Sequence, residues 1–350
     1  MRLTVGDPFP SLRLPGVRNP NYVVDSAAGR FLLLGLFSDL DDDQLRVAIG
    51  QASRYRTVFD DEHLCFFGLL PDRAPWRGRV EDQLPGIRWL FDTRKDGNPL
   101  QAGPEQRWVL LDPSLRVLAV VGETDAPRLL DGLQRLPDPD RHGGSLSHAP
   151  VLLVPRLFEP NFCQTLIDHY DARGGRPSGF MREIDGVTRL VHDTSHKRRS
   201  DVLLQNEALI QAVRARIAHR LAPEITKAFQ FTATRIERYL VSRYDAATGG
   251  YFRPHRDNTT RGTAHRRFAV SINLNEDFDG GDLKFPEFGR TTFRPPVGGA
   301  VVFSCSLLHE VAPVTRGQRY AFLPFLYDEA GAATRTANLQ FLANPGDLAP

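Results

Sequence analysis

The first third of the chain alternates short apolar runs with segments whose apolar residues recur at helical spacing. An acidic segment at 38–43 suits the N-terminus of a helix, and Leu45 and Ile49 follow it at helical spacing. A second helix is predicted at 126–136, where leucines cluster. Buried strands are predicted from the apolar runs at 31–37, 64–70, 87–92, 108–112 and 117–121. This order of strands, helices and a hairpin predicts an α/β sandwich.

The pattern changes after about residue 150. Residues 160–172 predict a helix because Phe162, Leu166 and Tyr170 repeat every four residues, and residues 206–221 predict another helix. Short strands separated by turn residues then follow in quick succession. Their expected positions are 236–244, 251–255, 268–274, 282–285, 291–293, 300–304, 308–313 and 319–327. Eight such strands predict a double-stranded β-helix of the jelly-roll type, braced by the helices.

A segment rich in Pro, Gly, Ser and Asp separates the two patterns. It has little to bury, so we expect a domain linker there, with His142 and His148 solvated. The predicted organisation is therefore a first domain, a linker, a second domain and a C-terminal tail, at 1–136, 137–150, 151–328 and 329–350.

Composition changes this picture little. The chain has 350 residues, of which 41% are hydrophobic and 25% charged, as in ordinary globular proteins. Its net charge of +2 does not call for nucleic acid or an anionic membrane as a partner. The N-terminus lacks the apolar core of a signal peptide, so we expect a cytoplasmic protein without membrane spans. The three cysteines are scattered and odd in number, which favours reduced, buried thiols.

Residues 251–258 place His255 and Asp257 one residue apart in a segment with strand character. In a strand, residues i and i+2 point to the same side, so an imidazole and a carboxylate can converge on one point. His309, in a later predicted strand, is the candidate third ligand. Two histidines and one carboxylate on one face of a metal, with open positions opposite, are typical of non-haem Fe(II) oxygenases.

An arginine follows at the right place for an anionic cofactor. Arg319 begins a strongly apolar run, ten residues after His309. There it can hold a carboxylate through two parallel hydrogen bonds, which a lysine cannot do. An organic diacid bound to the metal would supply that carboxylate. Arg316 is the alternative clamp, although its neighbours favour a turn.

The stretch 151–328, about half of the chain, resembles the catalytic domain of the 2-oxoglutarate and Fe(II)-dependent dioxygenases, within them the prolyl 4-hydroxylase-like group. The whole set agrees with that family in order and spacing, which makes it far more specific than a lone His-x-Asp. The matching positions are Tyr244, His255, Asp257, the strand 271–275, the segments 280–286 and 298–303, His309 and Arg319.

This resemblance implies roles for the matching residues. The two histidines and the carboxylate would hold Fe(II), and Arg319 would bind the far carboxylate of 2-oxoglutarate. Tyr244 would lie against the cofactor, although a buried tyrosine with a bonded hydroxyl is an equally good interpretation. Asn273 stands where some prolyl hydroxylases have a tyrosine that contacts the cofactor carboxylate, so the second partner of that carboxylate stays open.

The implied activity is hydroxylation of an unactivated carbon, with 2-oxoglutarate and O2 consumed, succinate and CO2 released, and ascorbate a candidate reductant. The leading substrate is a prolyl or other amino-acid residue in a protein or peptide, and an amino-acid-like metabolite is the alternative. A metal- and 2-oxoglutarate-binding sensor or interaction protein with little turnover is a second hypothesis. Near-neutral charge and the lack of an aromatic-basic stripe disfavour nucleic acid.

The first domain resembles the peroxiredoxin and thioredoxin fold in the segments 6–10, 29–34 and 110–118. In that family the working cysteine follows the first long strand, near a helix N-terminus that lowers its pKa. Here residues 37–43 contain no cysteine and several acids. Cys65 lies in an apolar strand and is expected to be a core residue. We therefore expect a redox-inactive scaffold or docking module.

Other polar residues near the candidate ligands receive weaker predictions. Arg256 is expected to point away from the metal, and Asn258 either orients Asp257 or begins a turn. His192 and Asp193 are discounted, since adjacent strand residues face opposite sides. Two basic groups are expected to be solvated loop charges, with an acidic substrate as the alternative: residues 196–199 with Asp201, and Arg261, Arg266 and Arg267.

Overall fold

The computed structural model describes residues 2–37, 41–72, 74–93, 107–344 and 346. The chain forms two compact units, each with its own apolar core. The first comprises Met1–Ala149 and Pro286–Thr291, and the second Pro150–Phe285 and Thr292–Pro350. Within the described ranges, no helix has the length and apolar character needed to cross a membrane.

The first unit is built on a five-stranded mixed sheet in the order β5-β4-β3-β6-β7. Strands β3, β4 and β5 are parallel, and β6 and β7 add antiparallel at one edge. The described strands are β1 Arg13–Leu14, β2 Tyr22–Val23, β3 Phe31–Leu36, β4 Leu64–Pro71, β5 Ile87–Asp92, β6 Trp108–Leu111 and β7 Val117–Val121. The helices are α1 Asp42–Arg54, α2 Ala74–Arg77 and α3 Ala126–Gly132.

Helix α1 begins as the acidic segment predicts. The Asp41 side chain accepts hydrogen bonds from the backbone N–H groups of Asp43 and Gln44, and the Gln44 side chain accepts from the Asp41 N–H. This reciprocal capping satisfies donors that the first helical turn leaves unpaired. Leu45 is buried against the sheet core. The first unit therefore has an α/β fold, and its resemblance to thioredoxin stays a prediction. Residues 38–40 of the acidic segment lie outside the described residues.

All three cysteines are buried and free. Burial raises the pKa of Cys65 to about 12 and the pKa of Cys163 to about 11. Burial also raises the pKa of Cys305 well above its usual range. A thiol with a raised pKa carries almost no thiolate at neutral pH, and thiolate is the reactive form. This agrees with the interpretation of Cys65 as a core residue.

We expect the native protein to resist thiol reagents. Treatment with 5,5′-dithiobis(2-nitrobenzoic acid) at pH 8 should release no thionitrobenzoate within minutes, because all three thiols are shielded from water. The same sample in guanidinium chloride should release three equivalents, one for each cysteine. One rapid equivalent from native protein would contradict the assignment and reopen a thiol-based activity, with the Cys65→Ser variant identifying its source.

Among its described residues the second unit contains two large sheets, a two-stranded hairpin and four α-helices. The strands are β8 Leu152–Val154, β9 Arg176–Pro177, β10 Phe180–Ile184, β11 Val187–Val191, β12 Lys197–Arg198, β13 Ser200–Leu203, β14 Arg235–Glu237, β15 Leu240–Asp245, β16 Tyr251–His255, β17 Phe268–Asn273, β18 Phe278–Gly280, β19 Leu283–Lys284, β20 Thr292–Phe293, β21 Ala300–Ser304, β22 His309–Val311, β23 Val314–Phe322 and β24 Phe325–Tyr327. The helices are α4 Pro160–Asp171, α5 Glu207–Arg216, α6 Ala222–Phe229 and α7 Glu329–Asn338. Strands β10 and β11 form a separate hairpin.

The two sheets are wound together as a jelly roll. The larger sheet has the order β14-β24-β17-β23-β15-β13-β9, with β21 on β17 and β8 on β21. The smaller has the order β12-β16-β22-β19-β20. From β15 onward the chain passes repeatedly from one sheet to the other, so neighbouring strands of a sheet are distant in sequence. This confirms the predicted all-β winding of the second unit.

Helices α4 and α5 cover the larger sheet as predicted. Phe162, Leu166 and Tyr170 on α4 are buried, and Phe158 just before α4 packs against Phe322 of β23 with ring centroids 5.8 Å apart. The helix predicted at 206–221 continues beyond its expected end. A wider helical turn at Ile217–Leu221 joins α5 to α6.

Three further features differ from the prediction for the second unit. The strand expected at 236–244 is two strands, because Arg238 adopts a φ of +71° between β14 and β15. The hairpin of β10 and β11 was not predicted, since its side chains are only partly buried and leave a weak apolar pattern. The C-terminal tail contains α7, whose N-terminus is capped by Asp328.

The predicted linker also differs. Residues up to Ala149 belong to the first unit. His142 is not solvated, because its Nδ1 lies 3.5 Å from the Asp112 carboxylate and its side chain is only 12% exposed. His148 is exposed, as expected.

Candidate metal centre and its polar surroundings

Two neighbouring strands of the smaller sheet bring the candidate ligands together. His255 ends β16 and His309 begins β22, and these two residues are directly paired across the antiparallel ladder. The register shifts between Phe252 and His255, which bends β16 at this point. Asp257 follows two residues later, and its backbone N–H donates to the Cys305 carbonyl at 2.9 Å. The chain therefore presents all three side chains at one strand end.

The three side chains are arranged as a facial metal site. The Nε2 of His255 lies 3.6 Å from Oδ1 of Asp257, and the Nε2 of His309 lies 3.4 Å from Oδ2. One ligand atom from each residue lies within 4.8 Å of the others. The Nδ1 of His255 lies 2.7 Å from the Arg253 carbonyl oxygen, and the Nδ1 of His309 lies 3.0 Å from the Leu307 carbonyl oxygen. A carbonyl only accepts, so each Nδ1 carries the proton and each Nε2 offers its lone pair.

The protonation states suit metal binding. Burial and the nearby His309 ring lower the pKa of His255 to about 4, so its ring is neutral at physiological pH. Burial raises the pKa of Asp257, but the two histidines outweigh this and hold that pKa below its usual range. A neutral imidazole and an ionised carboxylate are the forms that bind a divalent cation. Two histidines with one carboxylate suit Fe(II).

Aromatic side chains hold the histidine rings in place. The Phe252 ring stacks on His255 with centroids 3.5 Å apart. The Phe303 ring contacts His309 at 4.6 Å, and Phe285 packs on Phe303 at 4.9 Å. These apolar walls restrict ring rotation and keep bulk water from the ligands.

Arg319 is buried in the polar interior of the larger sheet. It pairs directly with Tyr244 across β15 and β23, and its side chain is 2% exposed. Its Nε donates to Asn273 Oδ1 at 3.0 Å, and its Nη2 donates to Ser271 Oγ at 2.8 Å. Its Nη1 has no hydrogen-bond partner among the described residues. A buried guanidinium with one free donor fits a site that receives an anionic group.

Tyr244 and Asn273 both contact this arginine. The guanidinium carbon of Arg319 lies 5.5 Å from the Tyr244 ring centroid. Asn273 also donates from Nδ2 to the Pro295 carbonyl at 2.9 Å, so both ends of its amide are held. Asn273 thus orients Arg319. Direct contact of either residue with a cofactor stays a prediction.

Residues 239–327 match the model of the 2OG-Fe(II) oxygenase superfamily. This range includes the three candidate ligands, Arg319, Tyr244 and Asn273. Residues 239–327 therefore have the sequence of a 2OG-Fe(II) oxygenase domain. Proteins of this superfamily use Fe(II), 2-oxoglutarate and O2. The donor set at the metal centre and the free buried donor of Arg319 both fit these groups.

Curated relatives are similar to about a quarter of this chain. A PKHD-type hydroxylase of Maricaulis maris is 39% identical over 90 residues, which is 25% of this chain and 40% of that protein. A PKHD-type hydroxylase of Paracoccus denitrificans is 40% identical over 91 residues, covering 23% of this chain and 39% of that protein. The chain therefore spans about two fifths of the length of these relatives.

Solved structures are similar over about half of this chain. A prolyl-4-hydroxylase from Pseudomonas putida has a TM-score of 0.40 and 21% identity, covering 51% of this chain and 94% of that structure. A viral collagen prolyl hydroxylase from Paramecium bursaria Chlorella virus-1, in complex with 2-oxoglutarate, has a TM-score of 0.39 and 16% identity. It covers 50% of this chain and 94% of that structure.

Three other predicted candidates lie outside the metal centre. Arg316 is part of β23 rather than a turn, and it forms an exposed ion pair with Asp279. Arg256 and Asn258 both reach Ser306, in the loop before His309, through its carbonyl and its hydroxyl respectively. They therefore tie the two ligand-bearing segments together. A fourth residue, His192, is exposed. This agrees with the prediction that it is not a metal ligand.

The expectation of solvated loop charges is wrong for Arg266. It forms a bidentate ion pair with Glu237, in which Nε and Nη2 lie 3.1 Å and 2.6 Å from the two carboxylate oxygens. His265 also contacts Glu237, at 2.6 Å, and all three side chains are buried. Arg266 Nη1 further donates to the Asp257 carbonyl at 3.3 Å. This buried cluster therefore supports the backbone of a metal ligand.

Glu237 should be essential to the stability of the second unit. Glu237→Gln leaves the Arg266 charge buried and unbalanced, which costs about 3–5 kcal/mol in the free energy of unfolding. Urea denaturation of the metal-free variant would measure this loss. The matched control is Glu329→Gln, which removes an exposed carboxylate paired with Arg235 and should leave the midpoint unchanged. Equal midpoints for both variants would contradict a supporting role for Glu237.

Proposed function

We propose that this protein is an Fe(II)- and 2-oxoglutarate-dependent dioxygenase that hydroxylates an unactivated carbon. The observation that carries the proposal is the convergence of His255, Asp257 and His309, with both Nε2 lone pairs turned toward one point. The free donor on buried Arg319 supports it, because 2-oxoglutarate has a second carboxylate to place.

Different residues of the chain would hold the metal, bind the cofactor and limit the access of water. His255, Asp257 and His309 would hold the metal from one side and would leave its other side open to 2-oxoglutarate and O2. Bound Fe(II), with 2-oxoglutarate and O2, supplies the oxidising chemistry that converts a C–H bond to C–OH and releases succinate and CO2. Arg319 would hold the far carboxylate, steadied by Ser271 and Asn273. Phe252 and Phe303 would fix the histidine rings and limit the access of water.

For the substrate we propose an amino-acid unit, as a prolyl or other residue of a peptide or as an amino-acid-like metabolite. The relatives named PKHD-type hydroxylases support hydroxylation as the reaction over the matched 90 or so residues, and the amino-acid class follows from the resemblance of residues 151–328 to prolyl 4-hydroxylase-like enzymes. The first unit is proposed as a scaffold or docking module rather than a second enzyme, since its buried Cys65 is a poor nucleophile. We propose a cytoplasmic location.

The alternative is a sensor that binds metal and 2-oxoglutarate with little turnover. The two functions share a binding site and differ in their rate of succinate formation. A sensor would show saturable binding of both groups and no succinate above the rate seen without substrate.

The test begins without a substrate. Fe(II) and then 2-oxoglutarate are added anaerobically to metal-free protein, and the visible charge-transfer band of the chelated keto acid is recorded. We expect a saturable band. Aerobic incubation with peptides and amino acids should then give succinate and a product heavier by one oxygen atom. Absence of the band would reject the proposed function, and a band without succinate from any compound would favour the sensor.

A further inference from the structure

A group of buried basic side chains lies beside the metal centre. Lys197 is 5% exposed, and the side chain of Arg199 is also 5% exposed. Arg238 belongs to the same group, because it shares the Asp201 carboxylate with Arg199. The sequence alone suggested solvated loop charges at 196–199. The structure instead buries two of these charges within the oxygenase domain.

The group reaches both halves of the candidate site. Lys197 is paired directly with Phe252, and its Nζ lies 4.8 Å from the Phe252 ring centroid. That ring stacks on the metal ligand His255. Arg199 Nη1 donates to the Tyr244 hydroxyl at 3.4 Å, and Tyr244 packs beside Arg319. An anion held by Lys197 and Arg199 would thus lie next to the metal centre.

The charges in this group do not balance. In the described part of the chain, Asp201 is the carboxylate that forms ion pairs with it, at 2.7 Å from Arg199 and 3.7 Å from Arg238. Lys197 Nζ donates to the neutral oxygens of Ser178 and Gly179. Arg199 Nε is buried and has no partner among the described residues. Two buried basic groups and the partly exposed Arg238 therefore share one ion-pairing carboxylate, and unmatched buried charge is costly.

The pKa of Lys197 agrees with a role in binding an anion. Burial and then the neighbouring Arg199 charge lower the pKa of Lys197 well below its usual range. A carboxylate placed against Lys197 and Arg199 would oppose both effects. The proposed metal and cofactor would not account for this surplus, because His255, Asp257 and His309 would hold the metal and Arg319 is the donor proposed for 2-oxoglutarate.

We propose that Lys197 and Arg199 form a second anion subsite, which binds a carboxylate of the substrate. The inference rests on the proposed function and narrows its substrate class to acids. Because the subsite is buried, it suits a small amino-acid-like acid that enters whole. An acidic side chain of an extended peptide presents the same chemistry and is a separate arm of the test. Arg199 and Lys197 would thereby determine specificity by setting the distance between carboxylate and reacting carbon.

The test compares acids with their neutral counterparts. Full-length protein with Fe(II) and 2-oxoglutarate is incubated with free amino acids, their carboxamides, and capped tetrapeptides containing Asp, Glu or their amides. Succinate and the one-oxygen mass gain are measured. We expect turnover of at least one free acid, with kcat/KM at least about 10-fold lower for its carboxamide, the loss expected for one charge-assisted hydrogen bond. Turnover of acidic peptides alone would assign the subsite to a side chain.

Variants identify the residues responsible. Arg199→Gln should raise the KM of the accepted acid at least about 10-fold, and Arg199→Lys should recover part of that loss. The 2-oxoglutarate concentration that half-saturates the charge-transfer band should not change. Arg198→Gln is the matched control, since Arg198 lies between the two residues but is exposed. Lys197→Met tests the subsite independently if Arg199→Gln does not fold.

Three results would overturn the inference. Equal turnover of acids and carboxamides would show that the protein does not recognise a carboxylate of the substrate. A weaker charge-transfer band in Arg199→Gln would show that Lys197 and Arg199 bind 2-oxoglutarate instead of the substrate. Turnover of none of the acids, in wild-type protein that shows the band, would exclude the class. Absence of the band in wild-type protein is different, because it rejects the proposed function itself.

Discussion

Replacing His309 by alanine is expected to abolish hydroxylation and to weaken Fe(II) binding by more than about 100-fold. Loss of an outer-shell partner typically costs about 10-fold to 100-fold in metal affinity, and loss of a ligand should cost more. His309 is buried at the start of β22 and supplies one of the three ligand atoms of the candidate metal group. Anaerobic titration with Fe(II), followed by the 2-oxoglutarate charge-transfer band, would measure both losses.

His192→Ala is the control for this experiment. His192 is exposed and lies outside the triad, so its removal should leave metal affinity and the band unchanged. Urea denaturation of the metal-free proteins would show whether His309→Ala keeps its fold. A folded His309→Ala variant that still binds Fe(II) tightly would place the metal centre elsewhere.

Replacing Arg319 by methionine is expected to raise the dissociation constant of 2-oxoglutarate about 30-fold to 100-fold. The change removes the charge-assisted hydrogen bonds to the cofactor carboxylate, which together are worth about 2–3 kcal/mol. Methionine fills a similar volume, so the core around Tyr244 should remain packed. The 2-oxoglutarate dependence of the charge-transfer band would measure the effect without a known substrate, while Fe(II) affinity should stay near that of the wild type.

Arg316→Met separates this role from a general effect of charge. Arg316 lies on the same strand, three residues before Arg319, but its side chain is 65% exposed and paired with Asp279. The variant should therefore bind 2-oxoglutarate as the wild type does. If Arg316→Met weakened the cofactor and Arg319→Met did not, Arg316 would be the clamp.

The metal centre was predictable because its signal is local. His255 and Asp257 are two residues apart, and the two-residue period of a strand already places their side chains together. His309 and Arg319 were predicted as site residues from their order and spacing in later strands. The structure adds the direct pairing of His255 with His309, and that pairing brings the third ligand into range.

The polar residues around the centre were not predictable in the same way. Glu237 lies 28 residues before its partner His265, and no periodicity connects them. Lys197 and Arg199 lie in a polar, basic stretch that has the composition of a solvated loop. Whether a charge is buried depends on which strands cover it. Here the passage of the chain from β12 in the smaller sheet to β13 in the larger one places these charges inside.

By itself the sequence determined the two-part organisation, the strand-rich second half, and the set of candidate metal ligands with a buried arginine after them. These follow from short-range periodicity and composition, which act within a few residues. Only the tertiary structure decided that Arg316 is exposed, that Arg266 supports Asp257 through its carbonyl, and that Lys197 and Arg199 are buried with too few acids. Those outcomes depend on contacts between strands far apart in the chain, and the jelly-roll winding creates such contacts.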